Sequence, residues 1–274
     1  MLIPLAACDE ANPGWNNTYI VDDEGTPQGV VFVDGKPRVV STEYTYQIAE
    51  GAIPDHYAVR RFGKNDDVGG AWETIYTLSD LYTYLAAAEQ WKIRSSSASD
   101  NATGTGAQTL FIQGLDGNYN RISETINLAG TAYVTTAKSY LRLFQSYVVD
   151  VGAIGANAGD IEFWNNAEAH QLDEIILGEG QLHTAIFTVP ADNTFYTTDY
   201  TFGESTNKGM VFSLWIREFG ESWRLVREFP AFQANYQFKV YFPFNLPAKC
   251  DVEMRVQGVT VAGTAYGGFD GWYE

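Results

Sequence analysis

The chain has 274 residues, 15% of them aromatic and only 19% charged, which suits one large all-β domain or two smaller ones and excludes a disordered chain. Lys+Arg 17 against Asp+Glu 34 leave a net charge of -17, which repels polyphosphate and anionic lipid, so neither nucleic acid nor membrane is expected as a partner. No run of about 18 apolar residues is present, and two cysteines, Cys8 and Cys250, are too few for a disulfide scaffold and are expected as reduced thiols.

The N-terminal segment contains Leu5-Ala6-Ala7-Cys8, which imitates a lipoprotein cleavage box but lacks a basic segment and enough apolar residues before the cysteine, so no lipid anchor is expected. Pro13-Gly14, Asp22 to Gly25, Asp34-Gly35, Pro37 and Pro54-Asp55 interrupt every apolar run, leaving room for short strands such as Val30 to Val33. Residues 1–70 therefore read as an extended arm. Residues 71–166 read as a β-subdomain with a central hairpin, and residues 167–274 as a C-terminal β-sandwich or jelly roll.

Ser79-Asp80 can cap a short helix running at most to Glu89. Ser95 to Gly106 is a polar loop without an apolar anchor. Leu110 to Ile112, the turn Asp116-Gly117-Asn118, and the alternation of Ile122, Ile126 and Leu128 predict a hairpin with one buried face. Leu141, Leu143 and Tyr147 are expected on one face of the next strand, before a glycine-rich turn over residues 152–160. Further strands are expected over Thr184 to Val189, Met210 to Ile216, Trp223 to Phe229, Tyr236 to Phe242 and Val252 to Val256, and the chain closes with Tyr266 to Tyr273.

Motifs that carry chemistry are scarce. His56, His170 and His183 have no mutual ligand spacing and read as structural or solvent-facing. Gly203 to Asn207 lacks the closing glycine of a nucleophile elbow, and Gly104-Thr105-Gly106 and Gly178-Glu179-Gly180 lack the rest of a nucleotide loop. Asp116 to Asn120 imitates the start of a calcium loop, but the twelfth position is Asn127 and strands flank it, so a hairpin turn is expected. Glu218 and Glu228, across the 210–229 hairpin, could form a glycosidase pair, although Arg217 and Arg227 beside them fit a charged solvent face better. No catalytic, cofactor-binding or metal-ligating residue is assigned, and no cofactor is expected.

The stretch Arg61 to Val68 with Trp72 and Leu81 to Tyr84, then Thr105 to Asn120, Ile126 to Thr131, Ser139 to Arg142, Asn157 to Ile161, Gly180 to Ala185, Thr188 to Ala191 and Gly267 to Asp270, resembles a group of uncharacterised virion structural proteins of tailed, largely marine bacteriophages. The resemblance covers about residues 60–274 and rests on strand-and-turn signatures, so it implies a class of molecule and carries no active site. Gly69-Gly70 precedes Trp72 here, whereas the group places the glycine pair directly before its Tyr-x-Tyr.

The resemblance implies a non-enzymatic virion component. The expected form is a capsid decoration or cement protein on the head exterior, a homotrimer whose partners are the major capsid protein and copies of itself, assembled in the host cytoplasm. Tyr196, Tyr200, Phe202, Trp215 and Tyr241 are candidate interface anchors, although alternation explains most of them as core. The alternative is a tail-associated or receptor-binding protein that holds a glycan, for instance between Trp215 and Trp223.

Overall fold

Strand formers separated by Gly, Asn and Asp turns fold here almost entirely into antiparallel sheet. The computed structural model describes residues 2–4, 18–21, 27–28, 30–33, 36–39, 44–205, 209–231, 235–259 and 263–274. Two units separate, Met1–Ile53 and Pro54–Glu274. In the first, β1 (Leu2–Pro4), β2 (Thr18–Val21) and β3 (Pro27–Gln28) form one small sheet, β4 (Val30–Val33) and β5 (Lys36–Val39) form a hairpin, and α1 (Tyr44–Ala49) follows. The strand expected at Val30 to Val33 is β4. Cys8 lies outside the described residues.

The second unit holds two β-sandwiches. Its first strands, β6 (Tyr57–Asn65) and β7 (Glu73–Thr74), belong to the C-terminal sandwich. Residues 57–65, read from sequence as the end of the arm, thus form a nine-residue strand paired along its length with the C-terminal strand. No helix forms after Ser79. Ser79 has φ 46 and residues 79–88 are irregular, because Tyr82 and Tyr84 are held by tertiary contacts that a regular helix would break.

The middle sandwich contains β8 (Glu89–Ser95), β9 (Ala107–Leu115), β10 (Arg121–Asn127), β11 (Val134–Tyr140), β12 (Arg142–Val151), β13 (Ile161–Trp164) and β14 (Gln171–Ile175). One sheet has the order β10-β9-β12 and the other β11-β8-β13-β14. Between them lie Trp91, Ile93, Leu110, Ile112, Tyr140, Leu143 and Phe163, all buried. The β9–β10 hairpin forms as expected: the Asp116 carboxylate accepts from the backbone N–H groups of Asn118 and Asn120 at 2.8 and 2.9 Å, closing the turn. The polar loop after Ser95 is anchored by a buried carboxylate instead of an apolar group. Asp100 accepts from Ser95 Oγ and from the N–H groups of Ala107, Ala158 and Gly159 at 2.6 to 3.0 Å.

β12 carries a bulge at Phe144, which lies between the pairs Leu143 with Gly114 and Gln145 with Gln113. The extra residue sends Phe144 into the core of the C-terminal sandwich and reverses the alternation beyond it. Tyr147, expected beside Leu141 and Leu143, is consequently exposed.

The C-terminal sandwich adds β15 (Ile186–Thr188), β16 (Phe195–Glu204), β17 (Met210–Arg217), β18 (Arg224–Ala231), β19 (Asn235–Leu246), β20 (Asp251–Gly258) and β21 (Ala265–Tyr273). One sheet runs β15-β20-β17-β18, with β7 alongside β20, and the other β19-β16-β21-β6. Phe187, Phe195, Phe202, Phe212, Leu214, Met254 and Phe269 fill the space between them. Close approach is built in at Gly63, where an added Cβ would stand 1.9 Å from the carbonyl oxygen of Ile75. The all-β sandwich expectation is met.

Candidate functional site

Alternation along β20 places Val252, Met254 and Val256 in the core and Asp251, Glu253 and Arg255 on the other face of the sheet. That second face is not wet. Asp251, Glu253 and Arg255 are 4%, 1% and 8% exposed, because residues 76–88, Arg142 of β12 and the side chains of Trp215 and Trp223 cover them.

The covering layer is a stack of guanidinium and aromatic groups. The Arg142 and Arg217 guanidiniums each lie 4.8 Å from the Tyr84 ring, Arg217 lies 4.7 Å from Trp223, and Arg255 lies 4.8 Å from Trp223 and 4.6 Å from Trp215. Carboxylates balance the charge. Asp251 accepts from Arg142 Nε at 3.3 Å, from Arg217 at 2.5 and 3.0 Å, and from Thr188 Oγ1 at 2.6 Å. Glu253 accepts from Arg255 Nε and from Tyr84 Oη at 2.7 Å. Burial pushes the Glu253 carboxyl up, and Arg255 and Tyr84 oppose the shift. Trp215 and Trp223, the pair of the glycan reading, each lie against the Arg255 guanidinium.

The other residues singled out in the sequence are dispersed. Glu218 pairs with Arg224 at the hairpin end, while Glu228 lies opposite Ser213. Five residues of strand separate these levels, about 16 Å, well beyond the spacing of a glycosidase pair, about 5 to 9.5 Å. The His56 ring contacts Glu274 at 2.6 Å, His183 contacts Glu179 at 2.8 Å, and His170 lies in an exposed turn. Cys250 is a free, buried thiol that burial pushes up to about 12. Among the described residues, no group of three or more His, Cys, Asp or Glu side chains is placed to hold a metal ion.

Of the candidate anchors, Tyr200 and Phe202 are core, 1% and 3% exposed. Tyr196 is half-buried against Trp272, their ring centroids 5.4 Å apart, and Trp215 belongs to the stack. The side chain of Tyr241 lies outside the described residues. The exposed aromatics are others, and three of them, Tyr236, Phe238 and Phe242, lie where the C-terminal sandwich is open. β18 and β19 are the last strands of their respective sheets, and Phe229 and Phe238 bring them to the same side, with ring centroids 6.1 Å apart. Leu225, Tyr236 and Phe238 are each more than 40% exposed there. In β19, residues 240–243 stand opposite the single residue Thr198. This irregularity leaves Val240 and Phe244 against the core and turns Phe242 outward, 88% exposed. Among the described residues nothing pairs with the outer backbone of β18 or of the twelve-residue β19. A long edge strand with a bare phenyl group is suited to receive another protein surface. Pro243 was the available signal, since proline within a strand marks an edge or a bulge.

No family model matches the sequence, and no curated protein matches it. Among solved structures, the chain is similar to the structure of infectious bursal disease virus Gx strain, with 11% identity over 81% of this chain and 74% of that one and a TM-score of 0.22. The structure of the Gt strain of the same virus gives 8% identity, 85% and 78% coverage and a TM-score of 0.21. The VP2 subviral particle of infectious bursal disease virus gives 9% identity, 81% and 73% coverage and a TM-score of 0.18. Scores this low fall short of a common fold and carry no inference about role.

Proposed function

We propose that the chain is a non-enzymatic structural component of a virus particle, of the class its sequence resembles, and that it decorates the exterior of the head. The observation that carries the reading is the open side of the C-terminal sandwich, where the β18 and β19 edges and Phe242 offer unpaired backbone groups and apolar area to a neighbour. The neighbours are copies of the same chain, in a trimer, and the major shell protein. Residues 1–53 add contact area as an arm on an adjacent subunit. The net charge of -17 favours the outward side of a shell over contact with packaged nucleic acid. A tail-associated, glycan-binding role has less support, because the Trp215 and Trp223 rings are already engaged by Arg255.

Sedimentation velocity over a range of concentrations tests the self-association. The expected result is a trimer that dissociates on dilution, and a monomer at every concentration would contradict it. Deleting residues 1–50 should lower the number of copies retained on purified particles, and unchanged retention would remove the arm from the account.

A further inference from the structure

At the junction of the two sandwiches a cavity of about 290 Å³ opens between β6, the bulged part of β12 and the connector that ends at Thr184. This lies at the small end of the range that takes a small-molecule ligand. Arg61 is its unusual feature. It is on the core-facing side of β6, and its guanidinium lies 5.2 Å from the Phe144 ring and 5.6 Å from the Phe187 ring. Nη1 donates to the Phe144 carbonyl oxygen, and Nε is enclosed without a hydrogen-bond partner. Among the described residues no carboxylate forms an ion pair with it. The titratable groups that act on it are the Tyr273 hydroxyl, which accepts from Arg121 at 3.2 Å, and Arg121 itself, which adds repulsion. Burial accordingly lowers the Arg61 pKa to about 10.

Around the mouth, His183 is held by Glu179, and Asp270, which also lines the cavity, stands opposite Arg60 in the β6–β21 pair; burial pushes the Asp270 carboxyl up and Arg60 opposes the shift. A guanidinium taken from water without a counter-charge is costly, and proteins normally pair it. Here the missing partner is an anion, and the cavity beside Arg61 has room for one together with a flat apolar body against Phe62 and Phe144, while the amides of Gln145 and Gln181 supply polar contacts.

We infer that this cavity is a binding site for a small carboxylate, its acid group held by Arg61 and its ring or chain by the two phenylalanines. The inference is independent of the assembly reading, since the cavity shares no residue with the β18–β19 edge. Thermal unfolding of the full chain at pH 7 and low salt, with benzoate, benzyl alcohol or N-acetylaspartamide added, tests it. Benzoate at tenfold excess over its Kd should raise Tm by about 2 to 3 °C, and benzyl alcohol should leave it unchanged. Arg61→Met should abolish the benzoate response and Arg61→Lys should keep part of it. An equal response to benzyl alcohol, an undiminished response in Arg61→Met, or no response to either carboxylate overturns the site. Stronger binding of N-acetylaspartamide than of benzoate overturns the small-molecule source and assigns the acid to a side chain of another protein. The wild-type contrast between benzoate and benzyl alcohol stands whether or not the variants fold.

Discussion

Arginines are taken out of water in two regions of this molecule, and the two are treated differently. Over β20, Arg142, Arg217 and Arg255 are interleaved with Tyr84, Trp215 and Trp223 and answered by Asp251 and Glu253. At the junction cavity, Arg61 has two phenyl rings, one carbonyl oxygen and no carboxylate. The first arrangement is complete in itself and acts as architecture: Arg142 comes from the middle sandwich and Asp251 from the C-terminal one, so the ion pair joins them. The second is incomplete without something from outside, which is the mark of a site.

Asp173 sharpens the contrast from the acidic side. It is fully buried, accepts from Thr184 Oγ1 at 2.7 Å, and among the described residues forms no ion pair, so burial pushes its carboxyl up to about 7. The folded chain therefore holds a proton between about pH 4 and pH 7 that the unfolded chain has released. Stability from this site is full below the unfolded value near 4 and is lost as the pH rises to about 7.

The largest expected effect is at Asp251. Asp251→Ala strands the buried Arg142 guanidinium and the half-buried Arg217 one and should cost about 3 kcal/mol in urea unfolding; a loss under about 1 kcal/mol would mean that the stack tolerates uncompensated charge and the contrast is empty. Next comes Asp173→Asn, which should stabilise the chain by about 2 kcal/mol above pH 7 and flatten the unfolding midpoint between pH 4 and pH 7. A midpoint still falling over that interval in the variant would place the proton elsewhere. Arg61→Met without added anion should be neutral or stabilising by about 1 kcal/mol, opposite in sign to Asp251→Ala, and a large loss would show that Arg61 is architectural too. Phe242→Asp should change stability by no more than about 0.5 kcal/mol, since the side chain is solvent-facing, while weakening association.

Much of the fold was legible, and particular residues show where legibility stopped. The Asp116 turn and the Met210 to Phe229 hairpin formed as patterned, because a two-residue period bounded by turn formers leaves few alternatives. The alternation at Val252, Met254 and Val256 was equally clear, yet it does not show that Asp251, Glu253 and Arg255 on the opposite face are buried. What buries them is an irregular segment almost 170 residues earlier in the chain, and alternation contains no information about a cover that distant. Tyr147, expected beside Leu143, and the outward turn of Phe242 escaped the pattern for one reason. A bulge inserts residues to fit a neighbouring element, and inverts the inside-outside order beyond it. Arg61 gave no signal, because an arginine within a strand normally points to water.

The most direct test of the assembly claim is the number of copies bound per purified virus particle when Phe242→Asp replaces the wild-type chain. With its unfolding midpoint unchanged, the variant should bind about thirtyfold more weakly, as expected for loss of an interface anchor, and occupancy should fall accordingly. Occupancy equal to wild type would contradict the account.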